Sequence, residues 1–217
     1  MKSSNQHILE YLIINKDYRD NVITVKSFDE LRNIIEDRYD KLGPGTEQNP
    51  VDFNDIDISN IDSFCKKNNE KGIFEKTKFE YIDISDWNVS NVENMGCMFH
   101  ECTQLKSIGD LSNWDISNVK NMSNMFYGCE QLKSVGDLSD WDVSNVKDMN
   151  HMFHKCEYFN CDLSNWDVSN VTGMYYMFGH CKQFDCDLSH WNTSKVKDMK
   201  NMFTGCNKLT IPDWYKK

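Results

Sequence analysis

Three sets of residues in this 217-residue chain could do chemistry: aspartates, cysteines and histidines. Asp83, Asp110, Asp137, Asp162 and Asp187 each stand four residues before a tryptophan, so pairs such as Asp162 with Asp187 or Asp83 with Asp110 could act as general acid and base. Such work needs two carboxyls in a shielded pocket with separated pKa values. A carboxylate that recurs two residues before a serine more simply accepts turn hydrogen bonds. The oxygen ligands do not cluster at calcium-loop spacing. Cys181 beside His180 has the residue types of a nucleophile and its base, but sequence adjacency is not the geometry a base needs. No CxxC pair occurs, and His100, His151, His154, His180 and His190 fall at scattered positions, so a zinc site is not expected. Phosphate-binding loops, GxSxG and HExxH are also missing. The expectation is a non-enzymatic protein with no catalytic residue, cofactor or metal.

What positions these residues is a repeat. Trp87, Trp114, Trp141, Trp166 and Trp191 are separated by 27, 27, 25 and 25 residues. The pairs Met98-Phe99, Met125-Phe126, Met152-Phe153, Met177-Phe178 and Met202-Phe203 keep the same steps, as do Cys102, Cys129, Cys156, Cys181 and Cys206. Within each copy the pattern SNVxNMxxMF sets Val119, Met122, Met125 and Phe126 on one face of a short helix, with Ser117 as its N-cap. Ser90, Ser144, Ser169 and Ser194 hold the equivalent place. The following stretch, with Leu132 and Val135 between polar residues and a glycine, predicts a short strand and a turn. One unit of about 25 residues cannot bury an apolar face alone, but stacked units can. The expected fold is therefore an α/β repeat solenoid of short strand plus short helix units with an N-terminal helical cap.

The N-terminal part does not repeat. QHILEYLII predicts a short helix and NVITVK a strand. SFDELRNIIEDRYDKL opens with Ser27 and Glu30 at capping-box spacing and predicts a helix over 27–42. The turn-rich GPGTEQNP (43–50) is read as a linker. After it, Ile58, Ser59, Asn60 and Ile61 stand where Ile116, Ser117, Asn118 and Val119 stand in a full copy, without the Met-Phe pair or the tryptophan. The division is a capping segment and linker over 1–50, a degenerate first repeat over 51–80, five tandem repeats over 81–211, and a tail over 212–217.

Charge and cysteine usage bound the function. The net charge of −10 disfavours nucleic acid and anionic membranes as partners. No apolar run reaches the roughly 20 residues of a membrane span, so no membrane insertion is expected. The N-terminus lacks a small-residue cleavage site, which points away from secretion and toward a cytoplasmic protein, in a host cytoplasm or virion if the source is viral. Free thiols fit that reducing setting. Cys161 and Cys186, each five residues before a tryptophan in adjacent copies, remain open as a possible bridge.

FNCDLSNWDVSNVTGMYYMFGHC (159–181) resembles the repeat of the BspA-like leucine-rich-repeat surface proteins, a family filed as a domain of unknown function. The resemblance covers 81–209, and residues 27–61 resemble the usual lead-in. It implies a leucine-rich-repeat-like stack and recognition of other proteins, and it implies no catalytic residues.

Information about a partner lies where the copies differ. Tyr127, His151, His154, Tyr158, Tyr175, Tyr176 and His180 fall in variable slots of the third and fourth copies and their neighbours, and tyrosine is a favoured interface residue. The leading expectation is a protein–protein interaction module, monomeric or weakly oligomeric, whose partner is a host protein or a second copy. Its alternative is a structural subunit of a virus particle or surface layer. A cysteine-dependent redox sensor is a third reading.

Overall fold

A computed structural model describes residues 22–66, 71–133 and 135–215. The helix expected over QHILEYLII and the final lysine pair lie outside the described residues. The regular elements are β1 (Ile23–Thr24), α1 (Phe28–Leu42), β2 (Val51–Asp52), β3 (Ile56–Asp57) and β4 (Ile82–Asp83). β1 pairs in parallel with β3, and β2 with β4, in the registers Ile23↔Ile56 and Val51↔Ile82.

The capping-box spacing does form a helix. Ser27 accepts from the Glu30 N–H, the Glu30 carboxylate accepts from the Lys26 N–H, and Gly43 closes the C-terminus at φ 74°. α1 buries Leu31, Ile35 and Arg38. The Arg38 guanidinium forms a buried ion pair with Asp55 at 2.6 Å and also donates to the Asp52 carbonyl. Arg32 reaches the other way and donates to the carbonyls of Gly72 (3.2 Å), Ile73 (2.8 Å) and Glu75 (3.3 Å).

The short helix expected in every repeat does not form; α1 is the only helix among the described residues. Each Met-x-x-Met-Phe segment is a chain of turns with a left-handed residue at every fourth position. Those residues are Cys97 and Glu101, Asn124 and Gly128, His151 and Lys155, Tyr176 and His180, and Asn201 and Gly205, all with φ between 53° and 78°. An α-helix needs right-handed φ throughout, so these residues interrupt the i−4 pattern. Ser117 is accordingly not an N-cap. Its N–H and hydroxyl both donate to Asp115 (3.1 and 2.6 Å), closing a side-chain turn.

Backbone hydrogen bonds in these turns alternate between local and inter-copy partners. Met125 donates to the Met122 carbonyl, Tyr127 to Asn124 and Cys129 to Phe126, closing three-residue turns. The N–H groups of Met122, Asn124, Phe126 and Gly128 instead donate to Asp148, Asn150, Met152 and His154 of the next copy, at 2.8–2.9 Å. The same four bonds recur at every junction from Met95 to Thr204. Single parallel bridges join Asn94, Asn121, Asp148, Gly173 and Asp198 in turn. The strand predicted around Leu132 and Val135 is not formed at the described residues there; both side chains are buried, and the segment meets the preceding copy through the Lys133 N–H to the Lys106 carbonyl (3.1 Å) and the Leu111 N–H to the Val135 carbonyl (3.0 Å).

Side chains stack in the same register. Phe99, Phe126, Phe153, Phe178 and Phe203 lie face to face at 5.5–5.9 Å, and Trp114, Trp141, Trp166 and Trp191 at 6.3–6.5 Å. Each indole N–H donates to the carbonyl three residues before the previous copy's tryptophan, as Trp141 does to Leu111 at 3.0 Å. The 25-residue steps are two residues shorter because Phe159 and Phe184 stack on Phe153 and Phe178 (4.0 and 4.3 Å), in copies that lack a Leu–Val pair.

Both ladders run past the expected boundaries. Phe74, one 25-residue step before Phe99, stacks on it at 5.1 Å, so Ile73-Phe74 is the Met-Phe pair thought missing from the degenerate copy. That pair is displaced because Phe53 aligns with Ile84, 31 residues on, whereas Phe74 aligns 25 residues on, which marks a six-residue insertion. At the other end Trp214 stacks on Trp191 at 6.4 Å and donates to Leu188 at 2.7 Å, so the segment expected to be a tail continues the tryptophan column.

Trp141 sits mid-column and is 4% exposed. Trp141→Ala should destabilise the protein by ~3–5 kcal/mol. Trp141→Phe should cost visibly less, because it retains a stacking ring while losing the bond to Leu111. Chemical denaturation of both variants measures this.

Candidate functional site

The recurring aspartates are turn acceptors. Asp83, Asp110, Asp137, Asp162 and Asp187 each accept from the N–H of the serine two residues on, at 2.9–3.0 Å. That serine N–H, more than any other contact, holds the carboxyls of Asp137, Asp162 and Asp187 below the ordinary carboxylate range. Residues kept ionised in one shared way do not divide into an acid and a base.

The recurring cysteines are also occupied. The thiols of Cys102, Cys129, Cys156, Cys181 and Cys206 donate to the carbonyls of Phe74, Phe99, Phe126, Phe153 and Phe178, at 2.9–3.1 Å. The position needs a small apolar side chain with a donor, which cysteine supplies. Burial pushes the thiols of Cys129, Cys156 and Cys181 far up, and that of Cys206 to about 11. None of the cysteines is in a disulfide. Cys161 reaches toward the Gly136 carbonyl at 3.8 Å, and Cys186 toward Asp162 at 3.5 Å. Among the described residues no three Cys, His, Asp or Glu converge as a metal ion would require, and no helix is long and apolar enough to cross a membrane.

Six of the seven candidate partner residues come together. Tyr127 stacks on His154 at 5.1 Å and meets His151 edge-on at 5.8 Å. His151 lies parallel to Tyr176 at 5.6 Å and edge-on to Tyr175 at 5.1 Å. His154 meets Tyr176 at 5.0 Å and His180 at 5.5 Å. His100, outside the expected set, extends the cluster by packing on Tyr127 at 4.8 Å. The slots fall on one face because they are the ninth, tenth, thirteenth and fourteenth residues after each tryptophan, and the inter-copy ladder runs through that same turn. Tyr158 does not join them; it is 45% exposed, beneath the Lys133 ammonium at 5.6 Å. It lies beyond the turn, so the ladder does not bring it to the cluster.

Depth differs within the cluster. His180 is exposed, whereas Tyr127, His151, Tyr175 and Tyr176 are half-buried. His154 is 7% exposed and supports the others from beneath. Gly179 makes room for it, since a Cβ there would stand 2.6 Å from His154 Nδ1 and 2.7 Å from the Tyr176 ring. Burial, then the charges of His151, His180 and Lys155, lowers the His154 pKa to about 4; burial also lowers that of His151. Burial thus favours the neutral imidazoles of His151 and His154 at the centre of the face, while the Lys155 ammonium lies over the Tyr127 ring at 5.9 Å.

Residues 46–135 and 126–215 both match one family model, described as a Mycoplasma protein of unknown function, DUF285. No curated protein and no solved structure matches the chain.

Two measurements test this site. In the native protein Cys129, Cys156 and Cys181 should resist a thiol reagent at pH 8 that labels all nine cysteines after unfolding; rapid native labelling of those three would contradict the thiol ladder. His154 gives a pH signature. Above its ordinary pKa of 6.5 it is neutral whether folded or unfolded, but between 6.5 and about 4 only the unfolded chain takes up the proton. Stability should therefore fall as pH drops through that window, by up to about 3 kcal/mol from this group. In His154→Phe the fall should be shallower by that amount, and equal slopes would contradict the burial of a neutral imidazole. The Asp148 carboxyl, raised by burial, is common to both proteins and cancels in the comparison.

Proposed function

From the premise that the chain belongs to the DUF285 family, whose two matches span residues 46–215, we propose that it is a non-enzymatic protein–protein interaction module built on a leucine-rich-repeat-like solenoid. The observation that carries this reading is the unbroken run of ring contacts from His100 through Tyr127, His151 and His154 to Tyr175, Tyr176 and His180. Large, stiff, half-polar rings gathered on one face are what protein interfaces concentrate. The stacked copies account for the solenoid part of the proposal, and the resemblance to BspA-like surface proteins agrees with it.

The backbone adds support. Of the left-handed positions, Asn124, Gly128, Asn201 and Gly205 hold asparagine or glycine, whereas Cys97, Glu101 and Lys155 do not, and three more are filled by the ring residues His151, Tyr176 and His180. A bulky residue costs about 1–2 kcal/mol in that conformation. Folding would be served better by glycine or asparagine, so the rings at these three positions are held at some conformational cost, which agrees with a role for the face they form. The partner is another protein, with a basic or neutral surface held by tyrosine and histidine anchors.

Tyr176→Asn separates binding from folding, because asparagine accepts the left-handed φ. The variant should melt within a few degrees of wild type and lose at least tenfold in affinity for a captured partner. Equal capture by both proteins would sink the proposal. Light scattering distinguishes the rival reading: a defined homo-oligomer that the same substitution dissolves would indicate a structural subunit.

A further inference from the structure

Four cysteines stand outside the thiol column: Cys65, Cys97, Cys161 and Cys186. Cys65 and Cys97 meet thiol to thiol, with the Cys97 S–H donating to the Cys65 sulfur. The backbone sets up this meeting. Cys65 forms an antiparallel bridge with Gly72, and the Cys97 carbonyl lies so close to Gly72 that a Cβ there would stand 1.7 Å from its oxygen. Only glycine fits between the two chains at that point.

Both cysteines are held in place by other bonds. The Ser63 hydroxyl accepts from the Cys65 N–H at 3.2 Å and donates to the Cys65 carbonyl at 2.7 Å. The Cys97 N–H donates to the Ser123 carbonyl at 2.9 Å. Cys97 also takes a left-handed φ of 55°, in the slot that Asn124 and Asn201 fill in other copies. A thiol is therefore kept there at a conformational cost.

The pair differs from the other thiols in chemistry. Cys102, Cys129, Cys156 and Cys181 are wholly buried and donate to backbone carbonyls, whereas Cys65 and Cys97 are each 5% exposed. Burial pushes the thiols of Cys161 and Cys186 up to about 11. Cys65 shifts the other way. The hydrogen bond from Cys97 draws its pKa down, helped by the Lys71 N–H, against burial and the Glu75 charge. A sulfur that ionises more readily, beside a second that donates to it, has the arrangement of an attacking thiolate and its resolving partner.

We propose that Cys65 and Cys97 are a reversible dithiol–disulfide site, closed by a small-molecule disulfide of the glutathione type. The Cys65 thiolate attacks one sulfur of that disulfide, forming a mixed disulfide and releasing a small thiolate. Cys97 gives its proton to the released thiolate, attacks the Cys65 sulfur and expels the second small thiolate, which takes up the proton that Cys65 had lost. Two protein thiols thus lose two electrons and two protons, and the small disulfide leaves as two thiols. The new bond ties the Cys65–Gly72 bridge, whose Gly72 carbonyl Arg32 holds, to the first full copy. Oxidation fastens the N-terminal end of the stack, and reduction loosens it. This device is separate from the aromatic surface and does not depend on that surface's role.

The test equilibrates the full 217-residue protein in glutathione buffers of rising oxidised fraction, followed by acid quench, alkylation of the unfolded chain and peptide mass mapping. A Cys65–Cys97 disulfide should form first, with the remaining cysteines still alkylated, and excess dithiothreitol should reverse it. The oxidised protein should melt at least about 5 °C higher than the reduced one. Cys65→Ser and Cys97→Ser should each abolish that shift, and Cys161→Ser should leave it in place. A bridge forming first between Cys161 and Cys186, a glutathione adduct on Cys65 that never resolves, or no oxidation at any ratio would overturn the proposal. So would a Cys65–Cys97 bond that leaves the melting temperature unchanged.

Discussion

Half the backbone N–H groups of each Met-x-x-Met-Phe turn must find acceptors outside their own copy, and everything else in the repeats is arranged around that need. A left-handed residue at every fourth position keeps the turn from becoming a helix, so its alternate donors face outward rather than along a helix axis. The next copy supplies the acceptors, 25 to 27 residues later. Once this register is set, identical side chains fall on one another. The phenylalanine and tryptophan columns, the thiol-to-carbonyl bonds and the Asn118-to-Ser90 type of amide bond all follow from it. A repeat that slipped by one residue would lose all of these together, which is why the copies tolerate a two-residue change in length only outside the turn.

The same register explains how a surface can be written into a repeated chain. Column positions are filled by packing demands and leave no freedom. The neighbouring slots face outward, and the ladder brings the same slot of successive copies to about 5 Å ring separations. Varying a few letters in consecutive copies is enough to assemble a contiguous aromatic face, with no new backbone. That face is partly self-supporting. His154 is buried beneath it and held neutral, and Gly179 gives up its side chain to admit the imidazole.

At the N-terminal end, the stack is closed by charge as well as by apolar contact. Arg32 satisfies carbonyls left over from the turn ladder, while Arg38 spans α1 and the first copy through its buried pair with Asp55. A guanidinium suits the first task because its planar donors can serve several carbonyls at once.

Much of this was legible in the sequence. The period, the apolar columns, the capping-box helix and the turn role of the aspartates are local or repeated signals, and repetition alone shows which residues must be equivalent. The aromatic cluster could be listed from variable slots, apart from Tyr158, which sits past the turn, and His100, which stands thirteen residues after Trp87 as Tyr127 does after Trp114 but was read only as a scattered histidine. Phe74 and Trp214 also carried a signal, a matching letter at a 25- and a 23-residue step, hidden by an insertion and by a changed lead-in. What only the tertiary structure decided was backbone conformation in the turn. Val119, Met122, Met125 and Phe126 have the spacing of a helical face, but spacing records which residues are buried and not the sign of φ between them. That sign depends on whether the turn's N–H groups bond within the copy or across to the next. The acceptors that settle it lie a full repeat away, so no local stretch of sequence contains the answer.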